Sequence, residues 1–366
     1  MSPAERDLLD GLVATLAKMP GMTVLVATLD VPLLGVDVDA PLSKLSKRGD
    51  ALLAVEVLGT PAQLLIEAKA YGYPRDLRNA ADQVLQYVRQ QSDAALVPMV
   101  VSDAISPGGK ELLRSRGVGY WDRSGSLYLQ LPGALFYVDR PAARATPRRL
   151  RSLYRGSAAQ VLHALLLEPG RTWHVQELAA RAEVSISRVH EVFSALEQHL
   201  WLEKRGRGPA AVRTLIAPGA LLDNWAEAHS LKEYGMRLFH GWSQSPSSLR
   251  SAVTVALDQY QVPYALTSVP GAELVAPFVT GNDRLTLIVQ DHLALDQVAA
   301  DAGLSPVDDG ENVCLLVTRA RAPLLFRRSI DSLQVASTVQ LYLDLWASPR
   351  RGKEQARHLR AERLPY

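Results

Sequence analysis

The sequence contains a single cysteine, Cys314, which lies inside an apolar run at residues 313–317. One cysteine excludes an intramolecular disulfide and a cysteine-based zinc site, and Cys314 is expected to behave as a small buried hydrophobe. No apolar run approaches the roughly 18 residues that a membrane span requires, and the N-terminal residues lack the pattern of a signal peptide. We therefore expect a cytoplasmic protein with no membrane partner.

The chain also lacks an excess of charge of one sign, since 40 Lys and Arg residues stand against 38 Asp and Glu residues, for a net charge of +2. Any binding of nucleic acid must therefore come from local basic patches rather than from the field of the whole protein. Hydrophobic residues make up 48% of the 366 residues, which is enough for packed cores and excludes a disordered chain. The length predicts two or three domains.

A charged pair, Glu67 and Lys69, ends an apolar run that begins at residue 63. Side chains alternate along a strand, so these two share one face, where a carboxylate and an ammonium group are costly unless paired or used. Upstream, Asp50 opens a second apolar run, and residues 58–61 form the predicted hairpin turn between the two strands. The plain alternative is a surface hairpin that carries an ion pair.

This arrangement resembles the PD-(D/E)xK nuclease superfamily, and Gln83 and Tyr87 match the Gln-x-x-x-Tyr element of its RecB-like members. The resemblance implies that Asp50 and Glu67 are ligands of Mg²⁺ and that Lys69 positions the attacking water. Gln83 and Tyr87 lie one helical turn apart, and they would brace the site or touch the phosphate backbone. The implied catalytic residues are Asp50, Glu67, Lys69, Gln83 and Tyr87.

Residues 1–139 alternate between strand and helix patterns. The predicted strands cover residues 22–29, 51–57, 63–70, 96–101, 120–122 and 127–131, and the predicted helices cover residues 8–19, 75–91 and 106–116. Such alternation predicts an α/β domain. By the resemblance, its fold would be that of a restriction-endonuclease-like domain.

Residues 140–156 contain six arginines, two prolines and no acidic residue. The prolines argue against a continuous helix, and we predict a linker. Because arginines beside a DNA-binding module commonly contact phosphates, we predict DNA contacts for Arg148, Arg149 and Arg151. A solvated connector is the alternative.

Residues 157–215 have the pattern of a winged helix-turn-helix. Two helices are predicted at residues 158–167 and 176–181, and Ser185 caps a third, in which Ile186, Val189 and Phe193 begin an apolar face. The opposite face is polar, as a helix that reads DNA requires. The predicted DNA-binding residues are Ser185, Ser187, Arg188 and His190 on this helix, and Arg205, Arg207 and Arg213 on the wing.

The order of these parts resembles the AbiEi-type antitoxins of type IV toxin–antitoxin systems, in a long variant with a nuclease-like N-terminal domain. The segments that carry the resemblance are residues 102–107, 117–126, 264–267, 340–345 and 351–356, together with the winged helix. The resemblance implies binding of double-stranded DNA to regulate an operon, and a nucleotidyltransferase-like toxin encoded nearby as partner. It also implies a nucleotidyltransferase-like α/β domain over residues 216–366. We expect no catalysis in that domain, because its candidate strand at residues 284–289 carries no acidic residue.

Three functions remain open on these grounds. The first is a DNA-binding transcriptional regulator, an antitoxin-like autorepressor whose nuclease-like domain is a scaffold. The second is a Mg²⁺-dependent DNA endonuclease that the winged helix targets. The third is a non-enzymatic adaptor that holds a partner protein through its C-terminal domain. A homodimer is compatible with each of them.

Overall fold

The computed structural model describes residues 2–32, 48–90, 96–131, 133–140, 152–278, 284–349 and 351–366. The chain forms two compact units, one of Met1–Ala145 with Gln198–Leu200 and one of Thr146–Glu197 with Trp201–Tyr366. Both units contain helices and sheets, as the sequence predicts. Among the helices in the described ranges, none is both long enough and apolar enough to cross a bilayer.

The first unit is built on a seven-stranded sheet whose strands follow the order of the chain. The strands are β1 (Met22–Pro32), β2 (Arg48–Val57), β3 (Thr60–Lys69), β4 (Leu96–Ser102), β5 (Gly119–Asp122), β6 (Leu127–Leu131) and β7 (Ala134–Val138). The helices are α1 (Pro3–Leu16), α2 (Pro74–Gln90) and α3 (Pro107–Ser115). Strands β3, β4 and β5 run parallel, and the remaining neighbours pair antiparallel.

The hairpin between β2 and β3 is tighter than the predicted turn. Only Leu58 and Gly59 lie between the strands, while Thr60 already pairs with Val57. Both turn residues have positive φ, 49° for Leu58 and 83° for Gly59. A two-residue turn of this hand matches the twist of an antiparallel pair, and it fixes the register of the two strands that carry Asp50 and Glu67.

Helices cover both faces of this sheet, and the alternation of β3 decides which side chains meet them. Leu64 and Ile66 belong to the apolar cluster that also contains Leu8 and Leu12 of α1. Leu65 belongs instead to a cluster with apolar residues of α2 and α3. Because faces alternate with a period of two, Glu67 and Lys69 lie on the α2 side of the sheet with Leu65.

The second unit begins with three helices and a small sheet. The helices are α4 (Gly156–Leu167), α5 (Val175–Arg181) and α6 (Ile186–Gln198), and the strands are β8 (Thr172–Trp173), β9 (Leu202–Arg205) and β10 (Val212–Leu215). The strands form an antiparallel sheet in the order β8-β10-β9. A short 3-10 helix, Gly208–Ala210, connects β9 to β10.

The rest of this unit is a second seven-stranded sheet, in the order β14-β11-β15-β13-β12-β17-β16, covered by helices. Its strands are β11 (Gly235–Gly241), β12 (Tyr264–Leu266), β13 (Leu285–Gln290), β14 (Leu304–Pro306), β15 (Val313–Thr318), β16 (Arg328–Ile330) and β17 (Leu333–Val335). Its helices are α7 (Pro218–Ala228), α8 (Pro246–Gln259), α9 (Ser268–Glu273), α10 (Leu295–Asp301), α11 (Ala322–Leu325), α12 (Thr338–Ala347) and α13 (Gly352–Arg363).

One apolar core runs through the whole second unit. Its buried residues extend from Leu153 and Tyr154, before α4, to Leu364, after α13. The end of the predicted linker is therefore packed core rather than solvated connector. The domain boundary predicted between residues 215 and 216 also falls inside this continuous cluster. Helices α4 to α6 and the C-terminal sheet therefore pack into the same apolar core.

Candidate functional site

The carboxylate of Glu67 stands at the centre of a polar cluster in the first unit. Lys69 Nζ donates a hydrogen bond to Glu67 Oε1 at 2.6 Å, and Gln83 Nε2 donates to Glu67 Oε2 at 2.9 Å. The Glu67 side chain is only 5% exposed, while that of Lys69 is 28% exposed. Strand β3 supplies the two charged groups, and α2 supplies the amide across from them, as the sequence predicts.

Asp50 joins this cluster from the neighbouring strand. In the register of the hairpin Ala51 pairs with Ile66, so Asp50 lies at the level of Glu67. The Asp50 carboxylate accepts a hydrogen bond from the main-chain N–H of Ala68, with Oδ2 at 2.9 Å from the nitrogen. Four of the five residues proposed for catalysis, Asp50, Glu67, Lys69 and Gln83, therefore meet at the α2 end of β2 and β3.

Burial changes the acid–base properties of this cluster. Desolvation raises the pKa of Glu67 from 4.5 to about 7, against the lowering effect of Lys69, and the nearby charge of Asp50 raises it further. Desolvation also raises the pKa of Asp50. Burial alone would lower the pKa of Lys69, but its hydrogen bond and charge attraction to Glu67 raise it instead. The site therefore disfavours two ionised carboxylates and favours a cation beside them.

The residues present fit a Mg²⁺ ion in part. Two carboxylates and a main-chain carbonyl suit a hard cation that keeps several water ligands. Within the described ranges, no group of three or more His, Cys, Asp or Glu side chains could hold a metal ion. Both Glu67 oxygens already accept hydrogen bonds, so Glu67 would have to release Lys69 or Gln83 to become a ligand. When bound, the ion would activate a water and stabilise charge on a phosphate.

Tyr87, the fifth residue of the predicted site, lies in the apolar contact between α2 and the sheet. It is 8% exposed and belongs to the same cluster as Leu65, Leu77 and Val84. Its ring therefore contributes packing that holds α2 against β3. That packing positions Gln83, one turn earlier, opposite Glu67.

The exposed side of α6 carries the polar residues predicted to contact DNA. Ser185, Ser187 and His190 are exposed, and Arg188 is half-buried. Ser185 Oγ accepts a hydrogen bond from the main-chain N–H of Arg188 at 3.3 Å, as the predicted cap requires. Arg188 Nη1 lies 2.5 Å from Glu191 Oε2, an exposed pair that a phosphate or a base could displace at little cost.

Ile186 differs from the sequence prediction. It was expected on the buried face of the third helix but is 48% exposed, whereas Val189, Val192, Phe193 and Leu196 are buried. As the first residue of α6, Ile186 lies beyond the contact that the rest of the face makes with the core. Its apolar side chain therefore adds to the exposed surface at the start of this helix.

The wing arginines divide into two groups. Arg205 and Arg207 are exposed, and Arg205 Nη2 lies 2.9 Å from Glu203 Oε2. Arg213 is different, because it is 9% exposed and its Nε lies 3.3 Å from Glu197 Oε1 of α6. The prediction that Arg213 reaches a DNA groove therefore does not fit its position: it is a buried link between β10 and α6. Arg148, Arg149 and Arg151 lie outside the described residues.

Sequence reasoning missed a buried polar network around Asp344 on α12. Asp344 is fully buried, and its Oδ1 lies 2.8 Å from both His229 Nε2 and Gln340 Nε2. Its Oδ2 accepts a hydrogen bond from Thr267 Oγ1 at 2.5 Å. The available signal was the carboxylate itself, which interrupts the apolar run of residues 341–345. A buried carboxyl group in such a run requires partners, and here they are His229, which follows α7, Thr267, which follows β12, and Gln340 of α12 itself.

Comparison with known proteins gives one family match. Residues 214–364 match the sequence model of a family described as "Transcriptional regulator, AbiEi antitoxin, Type IV TA system". The match runs from β10 to α13 and confirms the predicted resemblance for those residues. It does not include the Glu67 cluster or helices α4 to α6. A search of curated proteins found no match.

Proposed function

We propose that this chain is a DNA-binding transcriptional regulator of the antitoxin type, which represses its own operon. The observation that carries the proposal is the match of residues 214–364 to a family of antitoxin regulators. A regulator of this kind needs a DNA-binding element, and helices α4 to α6 with strands β8 to β10 have the order of a winged helix-turn-helix. Such a protein would act where the DNA is, in the cytoplasm.

The chemistry of α6 and the wing supports binding to duplex DNA. At the start of α6, Ser185, Ser187 and the Arg188 guanidinium offer hydrogen-bond donors to phosphates and base edges. The exposed Ile186 suits contact with a thymine methyl group. Arg205 and Arg207 would reach the backbone from the wing, and Arg148, Arg149 and Arg151 would add phosphate contacts.

The partner implied by this role is a toxin encoded beside the regulator, of the nucleotidyltransferase-like class. The C-terminal sheet, which the family match covers, is the part that would hold or recognise it. Its β13 carries no acidic side chain, which supports a non-catalytic role for a nucleotidyltransferase-like domain. A dimer that reads two half-sites would fit an operator with two-fold symmetry.

The test is a gel shift on DNA from upstream of the chain's own gene. Replacing Ser187, Arg188 and His190 together by alanine should weaken binding at least tenfold, since one good base contact contributes about 1–3 kcal/mol. A matched control replaces Ser329, Arg319 and His292, three exposed side chains of the same types elsewhere in the second unit. Equal affinity of the α6 variant and the control would contradict a DNA-reading role for α6.

A second candidate function is that of a Mg²⁺-dependent DNA endonuclease. The convergence of Asp50, Glu67, Lys69 and Gln83 at the end of one hairpin favours it. The internal pairing of both Glu67 oxygens favours a scaffold instead, because the carboxylate is already satisfied. We rank the regulator first, and cleavage of DNA that Lys69→Ala abolishes would reverse that order.

A further inference from the structure

A cavity of about 480 Å³ lies within the second unit, between the start of α4 and the C-terminal sheet. Its wall includes Ala159 of α4, Trp225 of α7, Thr318 of β15 and Gln340 of α12. A volume of this size is in the range of sites that hold small organic molecules. Neither the Glu67 cluster nor the exposed side of α6 belongs to this wall, so the cavity is separate from both.

Two polar atoms at this wall lack a hydrogen-bond partner in the described part of the chain: Tyr154 OH and His163 Nε2. Tyr154 is 8% exposed and His163 is 1% exposed. His163 Nδ1 lies 3.2 Å from the main-chain oxygen of Ala159, which assigns the proton to Nδ1 and leaves Nε2 as an acceptor. Buried polar groups without a partner are uncommon in folded proteins, so these two atoms are unusual features of the residues that line the cavity.

Aromatic rings surround these two atoms. The Tyr154 and Trp225 rings are stacked, with centroids 5.8 Å apart and an angle of 14° between their planes. His163 meets Trp225 edge-on, with centroids 4.8 Å apart. Burial lowers the pKa of His163 to about 4, so the imidazole is neutral at pH 7. This side of the cavity is therefore lined by apolar, aromatic side chains.

Two basic side chains and one acidic side chain lie at the rim of the cavity. Arg155 and Lys232 both line it, and the acidic Glu233 there pairs with Arg155. The cavity also meets the start of α4, a helix of 12 residues whose first residue is Gly156 and whose N-cap makes no side-chain hydrogen bond. The first N–H groups of a helix have no partner within it, and they favour an anion.

A rigid polar network fixes the remaining wall. His229 and Gln340, which line the cavity, both hydrogen-bond to the buried Asp344, and Gln340 Nε2 lies 3.1 Å from Tyr234 OH. These contacts hold the side chains in place before any ligand arrives. Pre-organised polar groups beside an apolar surface are the usual composition of a small-molecule site.

We propose that this cavity binds a small organic anion that has a planar ring. The ring would lie against the Tyr154 and Trp225 side, and the anionic group would lie at the rim with Arg155, Lys232 and the first turn of α4. Two sources share this chemistry: a nucleoside monophosphate and an aromatic carboxylate. Since α4 is also the first helix of the three-helix element, an occupant would contact the part of the chain that precedes α6.

The test is isothermal titration of the full chain with adenosine monophosphate and with salicylate, beside the uncharged adenosine and benzamide. One of the two anions should bind saturably at one site per chain, and its uncharged counterpart should bind at least tenfold more weakly. Whichever anion binds identifies the source. If neither anion binds at millimolar concentration, the proposal is wrong.

Two variants assign the binding to the cavity. Lys232→Met removes a rim charge, and Ala320→Trp places a large ring at a half-buried position of the wall. Each should weaken the anion at least tenfold, while Lys353→Met, an exposed lysine outside the wall, should leave its affinity within twofold. If Ala320→Trp does not fold, Lys232→Met alone decides. An anion that binds all variants as tightly as the unaltered chain would contradict the site.

Discussion

Glu67 is a carboxylic acid in a position where the fold has nearly excluded water. Its two oxygens are held by Lys69 and Gln83, yet desolvation still raises its pKa to about 7. Burying an ionisable carboxyl group costs free energy of folding. If this position served packing alone, an apolar side chain of similar size would give a more stable protein. Strained or costly residues of this kind concentrate at functional sites.

We predict that Glu67→Gln stabilises the first unit at pH 8 but not at pH 4.5. The folded state holds a proton on Glu67 up to about pH 7, whereas the unfolded chain releases it near pH 4.5. Between these values the folded state binds more protons, so stability falls as the pH rises. Above pH 7 the ionised Glu67 costs on the order of 3 kcal/mol, which the amide avoids.

Thermal unfolding of the two proteins across this pH range measures the effect. Glu56→Gln is the matched control, because Glu56 is an exposed residue of the same hairpin. The melting curves of that variant should follow those of the unaltered chain at each pH. A Glu67→Gln difference that stays constant from pH 4.5 to pH 8 would show that the carboxylate is not desolvated as the structure indicates.

At the scale of elements, periodicity predicted those strands and helices whose burial is strongly patterned. Strand β6 has the predicted bounds, Leu127–Leu131. Strand β7 was missed because it is an edge strand that exposes Leu135, Tyr137 and Val138, so its sequence has no polar outer face. Pattern rules assume that exposed positions are polar, and an apolar edge breaks that assumption.

The sequence pattern does not predict the strand and the helix that lie between α7 and β12. Strand β11 begins and ends with glycine, and most of its side chains are exposed or half-buried, so it lacks a clear alternation. Helix α8 does have a start signal in its sequence, the Ser245 and Ser248 capping box with Pro246 between them. Strand β11 cannot be predicted from local sequence, because its place in the sheet depends on pairing with β14 and β15, which are distant in the chain.

The residues of the candidate sites also fall into two groups, those whose position follows from the sequence and those whose position depends on tertiary packing. The sequence predicts that Glu67, Lys69 and Gln83 lie close together. Glu67 and Lys69 share a face because side chains alternate along a strand, and the helix that follows the strand covers that face with Gln83. The burial of Arg213 was not predictable, since its face on β10 is set by the packing of α6 against the small sheet. Its Nε reaches Glu197, and its guanidinium lies 5.1 Å from the centre of the Phe193 ring.

We predict that Arg213→Ala loosens the contact between β10 and α6 and lowers the stability of the second unit by about 2–4 kcal/mol, because it leaves the half-buried Glu197 without its guanidinium partner. Arg188→Ala, which removes an exposed pair, should change stability by no more than about 0.5 kcal/mol and should weaken DNA binding instead. Chemical denaturation and gel shifts on both variants separate the two effects. An Arg213→Ala protein of unchanged stability would restore the groove-contact interpretation.

At the scale of the whole molecule, the two units carry different chemistry. The first unit holds the Glu67 cluster and no residue of the family match, while the second holds the matched segment, the α6 surface and the cavity. A scaffold needs the first unit only to be folded, whereas a nuclease needs it to act on DNA that the second unit holds. The same substitution in the first unit therefore distinguishes the two functions when both activities are measured on the full chain.

We predict that Lys69→Ala leaves DNA affinity within twofold of the unaltered chain, and that neither protein cuts supercoiled plasmid in the presence of Mg²⁺ or Mn²⁺. Lys69 is on β3 of the first unit and is not one of the residues proposed to read DNA, so binding should not depend on it. In a nuclease of this class the lysine positions the attacking water, and its loss would remove cleavage while binding persisted.

Nicking and linearisation on agarose gels, with EDTA as the metal-free control, measure cleavage, and gel shifts measure binding. Metal-dependent cleavage by the unaltered chain that disappears in Lys69→Ala would overturn the regulator proposal and establish the endonuclease in its place.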